Sequence, residues 1–258
     1  MTPDVGIALT GALVGLVLAI VGGGGSIIAV PLLLYGVGMP SVHAAIGTSA
    51  VAVALSAMGN LFAAMRRKLV KWPCALVFTA AGLVGTFAGS RLALSVDGGK
   101  LLSLFGGLML VIGTVMLLRK DAEGDPDVRL SFTTAQQMAP WLIGTGLAVG
   151  FLAGFFGIGG GFLIVPALMF ATGMTVTSAI ATSLVAITAF GAMTASNYAF
   201  VGEVIWRDVV IFVAGGVVGS AIGQFTARFV RERRALLQSI FASFVMVIGL
   251  YTIAKGIA

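Results

Sequence analysis

The chain has 258 residues, 59% hydrophobic and 9% charged, with a mean hydropathy of +1.12; a soluble domain carries about 25% charged residues. A soluble core of this length has no room for so much apolar surface, which excludes a soluble enzyme or binding domain. The net charge of +6 would suggest nucleic acid in a soluble chain, but here the positives lie between hydrophobic runs and read as loop charges, with no nucleic-acid partner.

The opening Met1-Thr2-Pro3-Asp4 lacks the basic n-region of a signal peptide, so no cleaved leader is expected. Runs free of Asp, Glu, Lys and Arg then cover 5–65, 72–90, 101–118, 130–202, 209–227 and 235–254, which is 61, 19, 18, 73, 19 and 20 residues. A spanning helix needs roughly 20 apolar residues. The four short runs therefore predict one span each, and the two long runs must hold more than one element. A membrane β-barrel would show alternating segments of about 10 residues; these continuous runs predict an all-α polytopic membrane protein.

In chain order, the first long run carries Val21-Gly22-Gly23-Gly24-Gly25-Ser26 and then Pro31. Glycine in a helix interior costs about 1 kcal/mol against alanine, so four in succession predict a broken helix. We read 5–37 as a re-entrant element of two half-helices meeting at that cluster. His43 falls in the short connection after it, and a full span follows over about 41–65 with Thr48-Ser49 near its start and Asn60 later. Runs 72–90 and 101–118 are single spans. Gly85-x-x-x-Gly89 is a small-residue face suited to close helix packing, and Arg91 beside it reads as a snorkelling anchor that can also attract anions.

Arg119 through Arg129 is polar and charged in both signs, and 119–137 reads as a linker between a first repeat, 1–118, and a second, 138–258. The second repeat opens with another broken element over 140–172, at Gly157-Ile158-Gly159-Gly160-Gly161 and Pro166. A full span at about 175–200 carries Thr182-Ser183 and Asn197. Run 209–227, with Gly215-x-x-x-Gly219-x-x-x-Gly223, and run 235–254 complete the chain. The whole is one transmembrane domain, because neither half alone covers its small-residue faces.

Residue matching indicates the duplication. At one offset Gly11, Gly15, Gly22, Gly24, Gly25 and Pro31 fall on Gly146, Gly150, Gly157, Gly159, Gly160 and Pro166. One residue of gap later, Thr48-Ser49 meets Thr182-Ser183, Trp72 meets Trp206, and Gly82, Gly85 and Gly89 meet Gly216, Gly219 and Gly223. Equivalent loops carry opposite charge bias, the cation-rich member being the first of one pair and the second of the other. Arg66, Arg67, Lys68 and Lys71 face Glu203, Arg207 and Asp208, while Arg91, Asp97 and Lys100 face Arg228, Arg231, Glu232, Arg233 and Arg234. Under the positive-inside rule this predicts an inverted repeat, with loops 66–71 and 228–234 cytoplasmic and both termini outside.

Irregular backbone at membrane depth is tolerated only where it is buried in protein or lines a wet cavity. A half-helix starting after such a break presents free N–H groups and the positive end of its dipole, which suits an anion. Gly23, Gly24, Gly25 and Ser26, with Gly159, Gly160 and Gly161, are therefore candidate substrate-binding residues. The hydroxyls of Thr48, Ser49, Thr182 and Ser183 can donate to an anion or bond back to a carbonyl. Asn60 and Asn197 can touch substrate or bridge helices.

No Asp or Glu lies inside any run, so the usual carboxylate site for a proton or sodium is absent. One histidine, one cysteine (Cys74) and no buried acids leave no catalytic set, no metal cluster and no disulfide within the chain. No Gly-Lys-Ser/Thr follows either glycine cluster, so no phosphate loop and no cofactor is expected.

Taken together, Gly11-x-x-x-Gly15 into Gly22-Gly23-Gly24-Gly25-Ser26-x-x-x-x-Pro31 and Gly47-Thr48-Ser49 resembles the TauE/SafE sulfite exporter family of bacterial membrane transporters. The pattern recurs as Gly146-x-x-x-Gly150-x-x-x-Gly154 into Gly157-x-Gly159-Gly160-Gly161-x-x-x-x-Pro166 and Ala181-Thr182-Ser183, and it covers both halves. Gly23 and Ser26 stand where the second copy has Ile158 and Gly161. The resemblance implies an inner-membrane carrier of a small sulfur-containing anion such as sulfite, sulfoacetate or a related organosulfonate. The expected function is secondary transport, as an exporter, by alternating access; its partners are that anion and membrane lipid, with a homodimer left open. The alternatives are an anion channel using the same glycine-lined site, and an intramembrane enzyme or redox subunit, whose chemical groups the chain lacks.

Overall fold

The computed structural model describes residues 3–21, 25–118, 132–159, 161–229 and 234–257, and the elements within them are all helices. Helix α1 is Pro3–Val21 and α2 is Gly25–Pro31, which runs on as π-helix over Leu32–Val37. Then come α3 Val42–Arg66, α4 Trp72–Leu94, α5 Gly98–Leu118, α6 Phe132–Phe156, α7 Gly161–Thr172, α8 Val176–Phe200, α9 Trp206–Phe229 and α10 Arg234–Ile257. Six stretches among the described residues are long and apolar enough to cross a membrane: 42–66, 72–94, 98–115, 138–156, 176–200 and 206–223. This is a multi-pass membrane protein.

The starts of the two central helices are written locally. Ser41 caps α3, its Oγ accepting from the Ala44 N–H at 2.9 Å, and Thr175 caps α8 through the Ser178 N–H at 3.4 Å. Such caps satisfy donors that a helix start leaves orphaned. The short return helices stop at glycines in the left-handed region, Gly38 (φ 82°) and Gly173 (φ 72°), where only a residue without a Cβ turns without strain.

Small residues then set the packing. Helix α1 lies along α9 so closely that a side-chain carbon on Gly15 would fall on the Gly216 carbonyl, and one on Gly219 on the Ala12 carbonyl. Along α4 and α6, Gly150 meets the Gly82 carbonyl and Gly85 the Leu147 carbonyl in the same way. The expected small-residue faces, Gly85/Gly89 and Gly215/Gly219/Gly223, thus hold backbones together. Helix α3 packs against α8 and α5 against α10.

Contacts between helix ends fix which ends share a side. The Arg207 guanidinium bonds Asp4 at 2.7 Å, Ser41 donates to Glu203 at 3.1 Å, and the His43 ring N–H reaches the Ala93 carbonyl at 3.2 Å. The starts of α1, α3 and α9 therefore lie with the ends of α4 and α8. Gly106 faces Gly249 and Ile253 while Gly113 faces Met246, so α10 runs antiparallel to α5 and finishes on that same side. The α3–α4 loop and the end of α9 occupy the other side.

Three expectations need correction. The broken elements are not pairs of half-helices. The first arms are long, 19 residues in α1 and 25 in α6, and only the return arms are short, 12 residues in α7. At 1.5 Å per residue α1 is about 28 Å long, close to the roughly 30 Å hydrocarbon core. A long arm lets its glycine stripe run the length of its partner, α9 or α4. A helix that crosses and returns still adds no net crossing, so the side assignments are unaffected. The expected linker 119–137 also overlaps α6, which begins at Phe132; its residues 119–131 lie outside the described residues. Finally, His43 is not in a connection but in the first turn of α3.

Candidate functional site

The site is built around α3 and α8, which carry both Thr-Ser pairs. Thr48, Ser49, Thr182 and Ser183 are all essentially fully buried. The Thr48 hydroxyl accepts from the Ile205 N–H at 3.1 Å, and the Thr182 hydroxyl accepts from the Lys71 N–H at 3.1 Å. Each threonine thus holds the loop that leaves the opposite helix. The serines donate back along their own helices, Ser49 to the Ile46 carbonyl (3.0 Å) and Ser183 to the Ile180 carbonyl (2.9 Å). That back-bonding is the alternative open to hydroxyls in a helix.

The second glycine cluster lies against the same two helices. Gly157 and Gly159 adopt φ of 66° and 62°, Gly157 is pressed against Ile46, and a Cβ on Gly159 would meet Val53 at 3.3 Å and Ile187 at 3.5 Å. The break therefore faces the middle of the α3–α8 pair. Gly161 opens α7 and is buried, and Gly25 opens α2 against the Val14 and Leu18 backbone of α1. Ser26 is buried in the next position. Gly23, Gly24 and Gly160 lie outside the described residues.

A crevice of about 150 Å³ opens between the end of α1, the end of α3 and the start of α8. Its walls are Leu18, Ala19, Ala63, Ala64 and Leu184, with Ile180 and Ala181 beside the Thr182-Ser183 pair. Its polar groups are Asn60, Thr177 and Arg67. Drug-sized ligands occupy roughly 300–1,000 Å³, so this space suits a small ion with some of its water. Arg67 is exposed at the α3 C-cap, where its charge also complements the helix dipole.

The structure thus brings Asn60 to the crevice and leaves Asn197 elsewhere. Asn197 sits near the other end of α8, where its amide donates to the Ser90 hydroxyl of α4 at 2.6 Å, a bridge between helices. Sequence reasoning missed Thr177 and Arg67. Thr177 lies in Thr175-Val176-Thr177-Ser178, where hydroxyl residues at a helix start read as caps. Arg67 is hidden in the run Arg66-Arg67-Lys68, which serves equally as a topology signal. Arg91 is exposed, with its guanidinium 5.3 Å from the centre of the Phe87 ring, an anchoring geometry.

Comparison with known proteins gives the chain its relatives. Residues 7–252 match the family described as "Sulfite exporter TauE/SafE". A "Probable membrane transporter protein" of Xylella fastidiosa is 41% identical over 247 residues, which cover 96% of this chain and 94% of the relative. The "Probable membrane transporter protein YunE" of Bacillus subtilis is 26% identical over 272 residues, covering 97% of each. No solved structure matches significantly. With the match running along nearly its whole length, through both glycine-rich pairings and the central helices, the chain belongs to the TauE/SafE sulfite exporter family, a family of membrane transporters and not of enzymes.

Proposed function

We propose that the protein is a secondary transporter of a small sulfur-containing anion, sulfite or a small organosulfonate, working as an exporter by alternating access in the bacterial inner membrane. The observation that carries this reading is the crevice between α1, α3 and α8. It is small, walled by alanine and leucine, supplied with the neutral donors Asn60 and Thr177, and has one cation, Arg67, among its lining residues. Neutral donors suit an anion that must be released again, and a rim cation raises the local anion concentration. The glycine cluster at 157–161 and the two Thr-Ser pairs complete the substrate path on this reading, with Ser26 and Gly25 on the return arm of the first half.

Reciprocal contacts support an inverted repeat. Thr48 holds Ile205 as Thr182 holds Lys71, and Gly15 meets Gly216 as Gly150 meets Gly82; each pair maps onto the other in the register of the duplicated sequence. The loop charges then assign loops 66–71 and 228–234 to the cytoplasm and both termini to the outside. On that assignment the crevice opens to the cytoplasm, as an exporter needs before loading.

The test is binding and flux with the purified full chain. Thermal-shift screening against sulfite, sulfoacetate and sulfate should show stabilisation by a sulfur oxyanion that saturates, as ligand linkage requires. Proteoliposomes should then show saturable uptake that is stimulated by counterflow. Unitary currents without counterflow would favour an anion channel through the same crevice, and stabilisation by none of the three anions would overturn the substrate assignment.

A further inference from the structure

The crevice has a counterpart at the other end of the same two helices, and there the space is filled. In the register that pairs Thr48 with Thr182, the crevice residues Asn60, Ala63 and Ala64 of α3 correspond to Thr194, Asn197 and Tyr198 of α8. Thr177 corresponds to His43. Two alanines that leave room on one side are thus replaced by an amide and a phenol on the other. The Tyr198 ring is completely buried and stacks on His43, with centroids 6.2 Å apart and planes 27° apart. Asn197 closes onto Ser90 of α4. In the state described, the molecule is open at the crevice and sealed at its counterpart.

The seal is chemically odd. Thr194 Oγ and Tyr198 Oη are fully buried, and neither meets a hydrogen-bond partner among the described residues. Thr86, Thr172 and Thr188 all bond back to the carbonyl four residues earlier; Thr194 does not. Residues four apart share one helix face, so both hydroxyls look from α8 into the same sealed region. A plug needs only apolar shape, and replacing an unpartnered hydroxyl by an apolar group of the same shape is neutral or stabilising. Phenylalanine and valine would therefore seal this end at least as well.

We propose that Thr194, Asn197 and Tyr198 form a second anion station, the far-side half of the transport path, seen here closed. When the end of α8 parts from the start of α3, the two hydroxyls and the amide released from Ser90 donate to the anion that the crevice holds in the present state. The substrate class is the one proposed above, a small sulfur oxyanion, and the inference rests on that reading. Every donor named is neutral, so the station binds and releases without a buried counter-charge.

The test uses the full chain in a Cys74→Ala background. Ala63→Cys, in the crevice, should react with a membrane-impermeant maleimide from the face that carries loop 66–71. Thr194→Cys should react only from the opposite face. Reaction of Thr194→Cys from neither face, or from the same face as Ala63→Cys, would overturn the proposal whatever the substrate is. The shape-preserving variants Tyr198→Phe and Thr194→Val decide the question if the cysteine variant fails to insert. Both should melt no lower than the parent yet slow sulfite counterflow tenfold or more, and parental flux in both would also overturn the station. If the parent itself carries neither sulfite nor sulfoacetate, the substrate reading fails, and the labelling pattern still decides whether a second, oppositely facing station exists.

Discussion

Gly150→Ala adds one carbon at the tightest point of the α4–α6 pairing. That carbon would lie 2.7 Å from both the carbonyl carbon and the Cα of Gly82, whereas carbon atoms rest at about 3.5–4.0 Å. Backbone cannot rotate out of the way as a side chain can, so α6 must retreat by about 1 Å along several turns. Overpacking of this kind costs about 1–3 kcal/mol, and a clash with backbone belongs at the upper end. Helix α6 supplies its own control. A carbon on Gly144 meets nothing within 4 Å, so Gly144→Ala should gain up to about 1 kcal/mol from helix propensity. In a chain of this size 1 kcal/mol moves a melting temperature by about 2–4 °C. Thermal unfolding in detergent should therefore place Gly150→Ala roughly 4–10 °C below the parent and Gly144→Ala slightly above it. Gly15→Ala, against Gly216, should fall by a similar amount, since the register of the two halves makes the sites equivalent. Equal shifts for Gly144→Ala and Gly150→Ala would refute the argument that glycine here is demanded by backbone contact.

Other variants address the site and its orientation. Thr48→Val removes the acceptor for the Ile205 N–H and should lower stability by about 1–3 kcal/mol, read as an earlier denaturant midpoint, while Thr48→Ser should stay near the parent. Gly159→Leu should insert normally but lose counterflow activity, because a side chain at φ 62° is strained and the Cβ already meets Val53 and Ile187; undiminished flux would show that the break serves packing alone. Arg67→Gln should slow initial uptake and flatten its dependence on salt while leaving the calorimetric affinity within a few-fold, since a rim charge acts through steering. Single cysteines at Asp97 and Glu232 should label from opposite faces, Asp97→Cys from outside, and labelling of both from one face would refute the inverted arrangement.

The spans at 41–65 and 175–200 could be read to within a residue because length and charge spacing at membrane scale are strong constraints. The small-residue faces were equally legible, since glycines four apart have few other uses in an apolar helix. The two broken elements were harder. A glycine cluster marks a break, but nothing in 5–37 or 140–172 says how far each arm runs before it. The arm lengths follow from pairing with α9 and α4, which is tertiary information. The Thr-Ser pairs were found, but their partners were not, because a hydroxyl in a helix gives no hint that a loop from another helix will dip onto it. Thr194 and Tyr198 were invisible for a related reason. Each looks ordinary in sequence, and only their burial without partners sets them apart.

An apolar path that carries an anion must still let it go, and this bears on where the charges lie. A cation fixed inside the path would cost several kcal/mol to desolvate before any substrate arrived, and once paired it would hold the anion too well. On the proposed reading the chain keeps Arg67 at the exposed rim and offers Asn60, Thr177 and hydroxyls further in. Each hydrogen bond from a neutral donor to an anion is worth about 1.5–3 kcal/mol. Two or three of them offset the anion's lost hydration and the cost of association, which is several kcal/mol or more, and leave little over. What is left, a few kcal/mol at most, puts the net affinity near the millimolar range, about −4 kcal/mol. That is strong enough to load the crevice and weak enough for release at the other end. The same weakness makes the site tolerant: a tetrahedral sulfonate and a pyramidal sulfite present similar oxygens to the same neutral donors, and a 150 Å³ crevice discriminates between them mainly by the size of what the sulfur carries.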